Sequence, residues 1–302
     1  MSRKTFHGPN CIYHETRCLG QGGFGVAYLA KTADDMNKEY VIKIHKTVAG
    51  KNLYNLAKEE SDKLRHFDHK NLAKLVEAFD EEIDGKLTHV IVLEYCNSGD
   101  LDQYIRLKGG KEEYLSEYID IFEQIWEGVH SLHTSAVHPS GKKKPGLCHS
   151  DLKPGNVFLH KQNVKGARLE AKVGDLGVAT WLPDGDMSVL VGGAGTLLYM
   201  PPERLTLKKF GKKSDLYALG VIFYEMLTKH LPYYKEEEIK SMTTLPRFPL
   251  PDWVPADLKQ FVLKLMSKNK MERPQALPSN KIKKTYPTNG ATYEGEVRRW
   301  IN

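Results

Sequence analysis

The chain has little that would staple, anchor or repeat a structure. Its four cysteines, Cys11, Cys18, Cys96 and Cys148, are scattered, with no CxxC pair and no metal-ligand spacing. That argues against a disulfide scaffold and for a reducing intracellular compartment. No stretch approaches the about 18 uninterrupted apolar residues of a membrane-spanning helix. The opening Met1-Ser2-Arg3-Lys4-Thr5 leads into no apolar run of leader length. A cytoplasmic or nuclear location without a transmembrane segment is therefore the expectation. No long internal repeat is present. Basic residues are not interleaved with stacking aromatics, and no nucleic-acid recognition motif occurs. A net charge of +6 over 302 residues then speaks for solubility rather than nucleic-acid binding.

What is present fits a globular chain with a sizeable core: 40% hydrophobic and 27% charged residues fall in the ordinary range. Arg17 to Lys31 reads as two strands around a glycine-rich turn, and Glu39 to His45 as a third. Leu53, Leu56, Ala57, Leu64 and Phe67 make one face of a helix. Two further strands are predicted around Leu72–Phe79 and Leu87–Glu94, joined by a turn at Asp84-Gly85. After about residue 97 the pattern turns helical. Leu115 to His133 carries apolar residues at three- and four-residue spacing, Ser214 to Thr228 is almost wholly apolar, and Asp257 to Lys268 is amphipathic. The expected fold class is α+β, a β-rich lobe followed by a mainly α-helical one with a cleft between.

Gly20-Gln21-Gly22-Gly23-Phe24-Gly25 has the spacing that lets backbone amides approach phosphate. Alone it would serve a dinucleotide-binding fold equally well. Here both flanks are strand-like and Lys43 follows in a third strand, which separates the two readings. Next comes His149-Ser150-Asp151-Leu152-Lys153-Pro154-Gly155-Asn156. Its side chains suit phosphoryl transfer: Asp151 to accept a hydroxyl proton, Lys153 to hold the γ-phosphate, Asn156 to hold magnesium. Asp175-Leu176-Gly177 adds a second magnesium-binding carboxylate. Each motif alone is an ordinary polar loop, but their order along the chain is not.

From about Tyr13 to Pro274 the sequence resembles the eukaryotic protein kinases. Asn156-Val157-Phe158-Leu159 is similar to the NIMA-related branch. The resemblance implies a bilobal domain over residues 13–275, with an N-lobe at 13–95 and a C-lobe at 97–275, an extension at 1–12 and a tail at 276–302. It implies a serine/threonine kinase using ATP and Mg2+, the branch resting on Lys153 and Thr196. Lys43 would bridge the α- and β-phosphates and pair with Glu60, chosen over Glu59 because Leu64 then faces the core. Leu19, Gly20, Gly22, Gly23 and Gly25 would cover the nucleotide. Ala27 and Val41 would roof the adenine and Phe158 floor it, Leu93 would be the gatekeeper, Glu94 and Cys96 would lie in the hinge, and Asp100 near the ribose. Glu203, Asp215 and Arg273 would be scaffold.

Several positions depart from the pattern. Ser150 stands where the family usually has an arginine that reads an activation-loop phosphate, so activity is expected without that phosphate, and Ser188, the obvious loop hydroxyl, is expected to be dispensable. Leu176 replaces the usual phenylalanine and is expected to stack as an apolar spine residue with Leu64, Leu75 and His149. Ala27 and Val41 exchange the usual roof residues at constant volume. Gly141 to Gly146 is a basic, turn-rich insertion: a solvated surface loop or a docking site for an acidic partner. The tail around Asn289-Gly290 to Gly295-Glu296 resembles the start of a MORN repeat. Because the Ser150 and Leu176 changes touch motifs that degenerate in pseudokinases, a nucleotide-binding scaffold is the alternative reading.

Overall fold

The computed structural model describes residues 3–21, 25–45, 53–134, 136–137, 143–144, 146–182, 189–190, 196–241, 246–275, 277, 280–288 and 291–299. Gly22, Gly23, Ser188, and Gly141, Lys142 and Pro145 of the basic insertion lie outside them. The chain divides into two compact units. The first comprises Met1–Leu101, Gln124–His149 and Gly155–Gly185; the second comprises Asp102–Glu123, Ser150–Pro154 and Asp186–Asn302.

The first unit is built on a six-stranded antiparallel sheet. Its strands are β1 (Thr5–His7), β2 (Ile12–Gln21), β3 (Gly25–Thr32), β4 (Glu39–His45), β5 (Leu75–Ile83) and β6 (Lys86–Glu94), in the order β1-β2-β3-β4-β6-β5. Alternation along the pleat sorts the residues onto two faces. One face collects Val26, Tyr28, Ala30, Tyr40, Ile42, Ile44, Val90 and Val92 into a dry cluster closed by Phe6, Tyr13 and Phe79. The other carries Ala27, Val41 and Lys43, with Ala27 paired to Lys43 and Val41 to Leu93.

Two strand expectations shift. Thr5–His7, within the segment expected to precede the domain, pairs with Ile12–His14 and places Phe6 in the core at 1% exposure. Leu72 lies before β5 rather than in it, because it bridges to Val173 while the Asn71 carbonyl accepts from Val173 N–H. Helix α1 (Tyr54–Arg65) buries Ala57, Glu60, Ser61, Lys63 and Leu64, one face at helical spacing, and ends with Lys63 and Arg65 favourably near its negative C-terminus. The antiparallel pair Val157–Lys161 and Leu169–Val173 also belongs to this unit.

In the second unit, α5 (Lys212–Thr228) is buried nearly all round, as its apolar run predicts. It packs against α7 (Ala256–Leu265) so closely that a Cβ on Gly220 would stand 2.7 Å from the Leu265 Cβ. Phe122, from α3 (Leu115–His133), stacks on Phe223 at 4.1 Å and meets Phe261 edge-on at 6.3 Å. A short helix, Pro202–Leu207, precedes α5, and Asn280–Thr288 pairs with Ala291–Arg299 as a hairpin. Among the described residues no helix is long and apolar enough to cross a membrane.

Candidate active site

In the first unit the sequence-predicted strand lysine meets two carboxylates. Lys43 Nζ donates to Glu60 Oε1 at 2.7 Å, to Glu60 Oε2 at 2.9 Å and to Asp175 Oδ1 at 2.8 Å. Glu60 is 1% exposed, whereas Glu59 faces solvent. A buried carboxylate is tolerated only when paired, and here the pairing is on two sides, since His45 Nε2 lies 3.4 Å from Glu60 Oε2. Burial works against charge on both partners. The Lys43 ammonium is nonetheless held above the usual lysine range by Glu60 and then Asp175, and the Glu60 carboxyl is held below the usual range by Lys43 and His45. Both stay ionised at neutral pH.

Asp175 adopts a left-handed backbone, φ +63°, a conformation non-glycine residues keep only when their surroundings enforce it. The chain around it is bonded on several sides. Gly174 N–H donates to the Asn156 carbonyl at 2.9 Å, which sets Asn156 and Asp175 on adjacent stretches, and His149 Nε2 bonds the Gly174 carbonyl at 2.9 Å. A Cβ on Gly174 would come within 2.8 Å of the Phe158 ring, so only glycine lets that ring lie so close to the chain. Lys63 Nζ reaches the carbonyls of Leu176 and Gly177 at 3.4 Å. Leu176, Leu64 and His149 are all buried and Leu75 is half-buried, as the spine expectation requires of their burial.

Ala27, Val41 and Leu93 are half-buried on the sheet face that bears Lys43. Leu19 and Gly20 are exposed. Gly25 is needed for packing, since a Cβ there would stand 2.2 Å from the Ile44 carbonyl oxygen. Glu94 fixes the segment after β6: its carboxylate accepts from Lys74 N–H at 2.8 Å and pairs with Lys172 at 3.1 Å. The Cys96 thiol is pushed up to about 12 by burial and by the Glu94 charge, so it is neutral. Asp100 bridges to Phe158, Ser98 N–H donates to the Leu159 carbonyl and Leu159 N–H to the Gly99 carbonyl, so the residues expected at hinge and floor share one hydrogen-bonded strip.

The second unit holds the other group. Asp151 Oδ2 accepts from Lys153 Nζ at 2.8 Å, Asp151 Oδ1 accepts from Thr196 N–H at 2.7 Å, and Lys153 Nζ donates to Thr196 Oγ1 at 2.9 Å. This closed triangle fixes both charged groups relative to a threonine that the sequence offers only as a subgroup marker. Ser150 N–H donates to the buried Asp215 Oδ1 at 3.0 Å. Arg273, 1% exposed, grips Glu203 with two parallel bonds of 2.7 and 2.8 Å. The scaffold trio thus behaves as expected. Residues that sequence reasoning missed are His45, Lys63, Arg204, whose Nη1 donates to the Ser150 carbonyl, and Tyr199, whose hydroxyl donates to Glu225 Oε2 at 2.6 Å. His45 had a weak signal, being on the same strand face as Lys43. Lys63 had one in its place one turn after Glu60.

These residues match a known family. Residues 13–284 match the one described as "Protein kinase domain". The chain belongs to the protein kinase family. It is 34% identical to mouse serine/threonine-protein kinase Nek4 over 278 residues, covering 88% of this chain and 31% of that one. It is 31% identical to the mouse interferon-induced, double-stranded RNA-activated protein kinase over 282 residues, covering 88% and 49%. With mouse Nek3 the identity is 30% over 267 residues, covering 87% and 48%. The chain therefore spans about a third to a half of the length of these relatives. None of these matches speaks to the tail's likeness to a MORN repeat.

Proposed function

We propose that the chain is an active serine/threonine protein kinase that uses ATP and magnesium and needs no phosphate on its activation segment. The observation that carries this reading is the Lys43–Glu60–Asp175 cluster, at 2.7 and 2.8 Å with Glu60 buried. A scaffold that binds nucleotide could use the same cluster, but it has no need of the Asp151–Lys153–Thr196 triangle, which favours transfer. The donor set also fits: Asp175 and Asn156 offer the hard oxygen ligands that magnesium takes alongside phosphate oxygens. Bound magnesium-ATP would supply the electrophilic phosphorus and neutralise its charge.

The remaining chemistry belongs to the chain. Glu60 keeps Lys43 extended and charged toward phosphate oxygens. Asp151 Oδ accepts the proton of the attacking serine or threonine hydroxyl, and Lys153, 2.8 Å from Asp151, stabilises negative charge on the transferred group. Thr196 holds both in place. Protein substrates, a soluble cytoplasmic or nuclear setting and a role for Gly141–Gly146 as a docking loop for an acidic partner belong to the same reading, with the tail as a single MORN-like hairpin.

The test is magnesium-dependent transfer of labelled γ-phosphate to a generic basic protein and to casein by unphosphorylated protein. Wild type should transfer, Asp175→Asn should not, and Ser188→Ala should retain its rate to within about tenfold, the loss expected of one missing charged contact. No transfer by wild type, with nucleotide still bound, would leave the scaffold reading in its place.

A further inference from the structure

Ser150 lies next to the residue proposed to receive the substrate proton, and its backbone is strained. Its φ of +70° is a left-handed conformation that a serine does not adopt unaided. One side of the strain is met from α5, where Asp215 Oδ1 accepts the Ser150 N–H at 3.0 Å. The other side is met by Arg204 of the short helix Pro202–Leu207, whose Nη1 donates to the Ser150 carbonyl. Ser150 is therefore pinned at both its N–H and its carbonyl, the latter in the peptide leading into Asp151.

Arg204 is well placed to keep that grip. Its guanidinium lies 5.1 Å over the ring of Phe210, which is 1% exposed, a cation–π contact that fixes the plane of the fork. Phe210 pairs with Val189 in a two-residue ladder, so the same arginine is linked to the stretch between Asp175 and Glu203. Burial lowers the guanidinium's proton affinity, and the charges of Asp215 and Asp151 oppose that. The half-open space lined by Ser150, Asp151, Thr196, Arg204 and Asp215 leaves ≈ 10 Å³ beside the guanidinium, room for about one water.

We propose that Arg204 is a positioning residue that locks the Ser150–Asp151 backbone from the Pro202–Leu207 helix, and so holds Asp151 ready without a phosphorylated activation segment. The inference rests on the kinase reading above for its catalytic consequence, but the lock itself does not.

Two variants test it. Arg204→Met keeps an apolar stem over Phe210 and loses the donor; Arg204→Lys keeps a charged donor. Steady-state kinetics with a protein substrate should show kcat lowered about ten- to a hundredfold in Arg204→Met, as for loss of a charged hydrogen bond. KM for ATP should stay within about threefold, and Arg204→Lys should recover at least about tenfold of the lost rate. In parallel, amide hydrogen exchange over Ser150–Pro154 should quicken about tenfold or more in Arg204→Met, with exchange across Lys43 and α1 unchanged. An Arg204→Met kcat within about twofold of wild type overturns the proposal. A loss that Arg204→Lys does not relieve, accompanied by a general fall in melting temperature, overturns it too. If the wild type transfers no phosphate, exchange alone decides: quickening confined to Ser150–Pro154 upholds the lock while the kinase reading falls, and no quickening overturns the lock.

Discussion

At the scale of single residues, the site is governed by the cost of burying charge. Glu60 sits on the buried face of α1 among Ala57, Ser61 and Leu64, where an unpaired carboxylate would be expelled or neutralised. Lys43 makes that burial tolerable, and Asp175 shares the same ammonium. Replacing Glu60 with glutamine should leave Lys43 buried with one anionic partner. The expected cost is about 1–3 kcal/mol of stability, less than for a fully orphaned ion because Asp175 remains. Transfer should fall about tenfold or more as Lys43 is drawn to Asp175. Thermal melting alongside initial rates checks both, and a melt unchanged by Glu60→Gln would show that the pair contributes no stability. The sequence distinguished Glu60 from Glu59 because helical spacing to Leu64 carries that information. It was silent on Arg204 and Tyr199, whose roles depend on which backbone carbonyl or distant carboxylate comes within reach, and no spacing rule encodes that.

Elements were legible where their pattern was long. Leu115–His133 appears with the predicted bounds, and α5 and α7 differ from expectation by a few residues at their ends, where capping rather than periodicity decides. Short elements escaped. Thr5–His7 offers too few residues to show alternation. Yet Phe6 closes the sheet's core cluster together with Tyr28, its ring 6.0 Å away, and Tyr13. The hairpin Val157–Lys161/Leu169–Val173 was likewise hidden, because it is short and is also bonded to Asn71 and Ala73, far along the chain. Phe6→Ala should therefore cost about 3 kcal/mol, the low end for a buried phenylalanine because a three-residue edge strand can relax into the space. Chemical denaturation would measure it. A cost below about 1 kcal/mol would mean that β1 adds no closed core and behaves as the expected extension.

For the whole molecule, chain order predicted a contiguous cut near residue 96, whereas the compact units interleave. Gln124–His149 and Gly155–Gly185 group with the sheet, and Ser150–Pro154 with the helices. The motif His149 to Asn156 is thereby divided: Asn156 and Asp175 share a unit with Lys43 and Glu60, while Asp151 and Lys153 share one with Thr196, Asp215 and Arg204. Such a division predicts separable functions. On the proposed reading, groups of the first unit would hold nucleotide and metal, and groups of the second would receive the hydroxyl proton and stabilise the transfer. Lys43→Met should weaken magnesium-ATP binding and transfer together. Asp151→Asn removes a proton acceptor but touches no group in the nucleotide set. Its nucleotide dissociation constant should therefore stay within about threefold of wild type, while transfer falls about a hundredfold or more, the range for loss of general base catalysis. Isothermal titration with a non-hydrolysable ATP analogue and magnesium, beside initial rates, reads both quantities on the same protein. A matched loss of affinity in Asp151→Asn would mean that Asp151 takes part in holding nucleotide, and the assignment of proton acceptance to it would have to be given up.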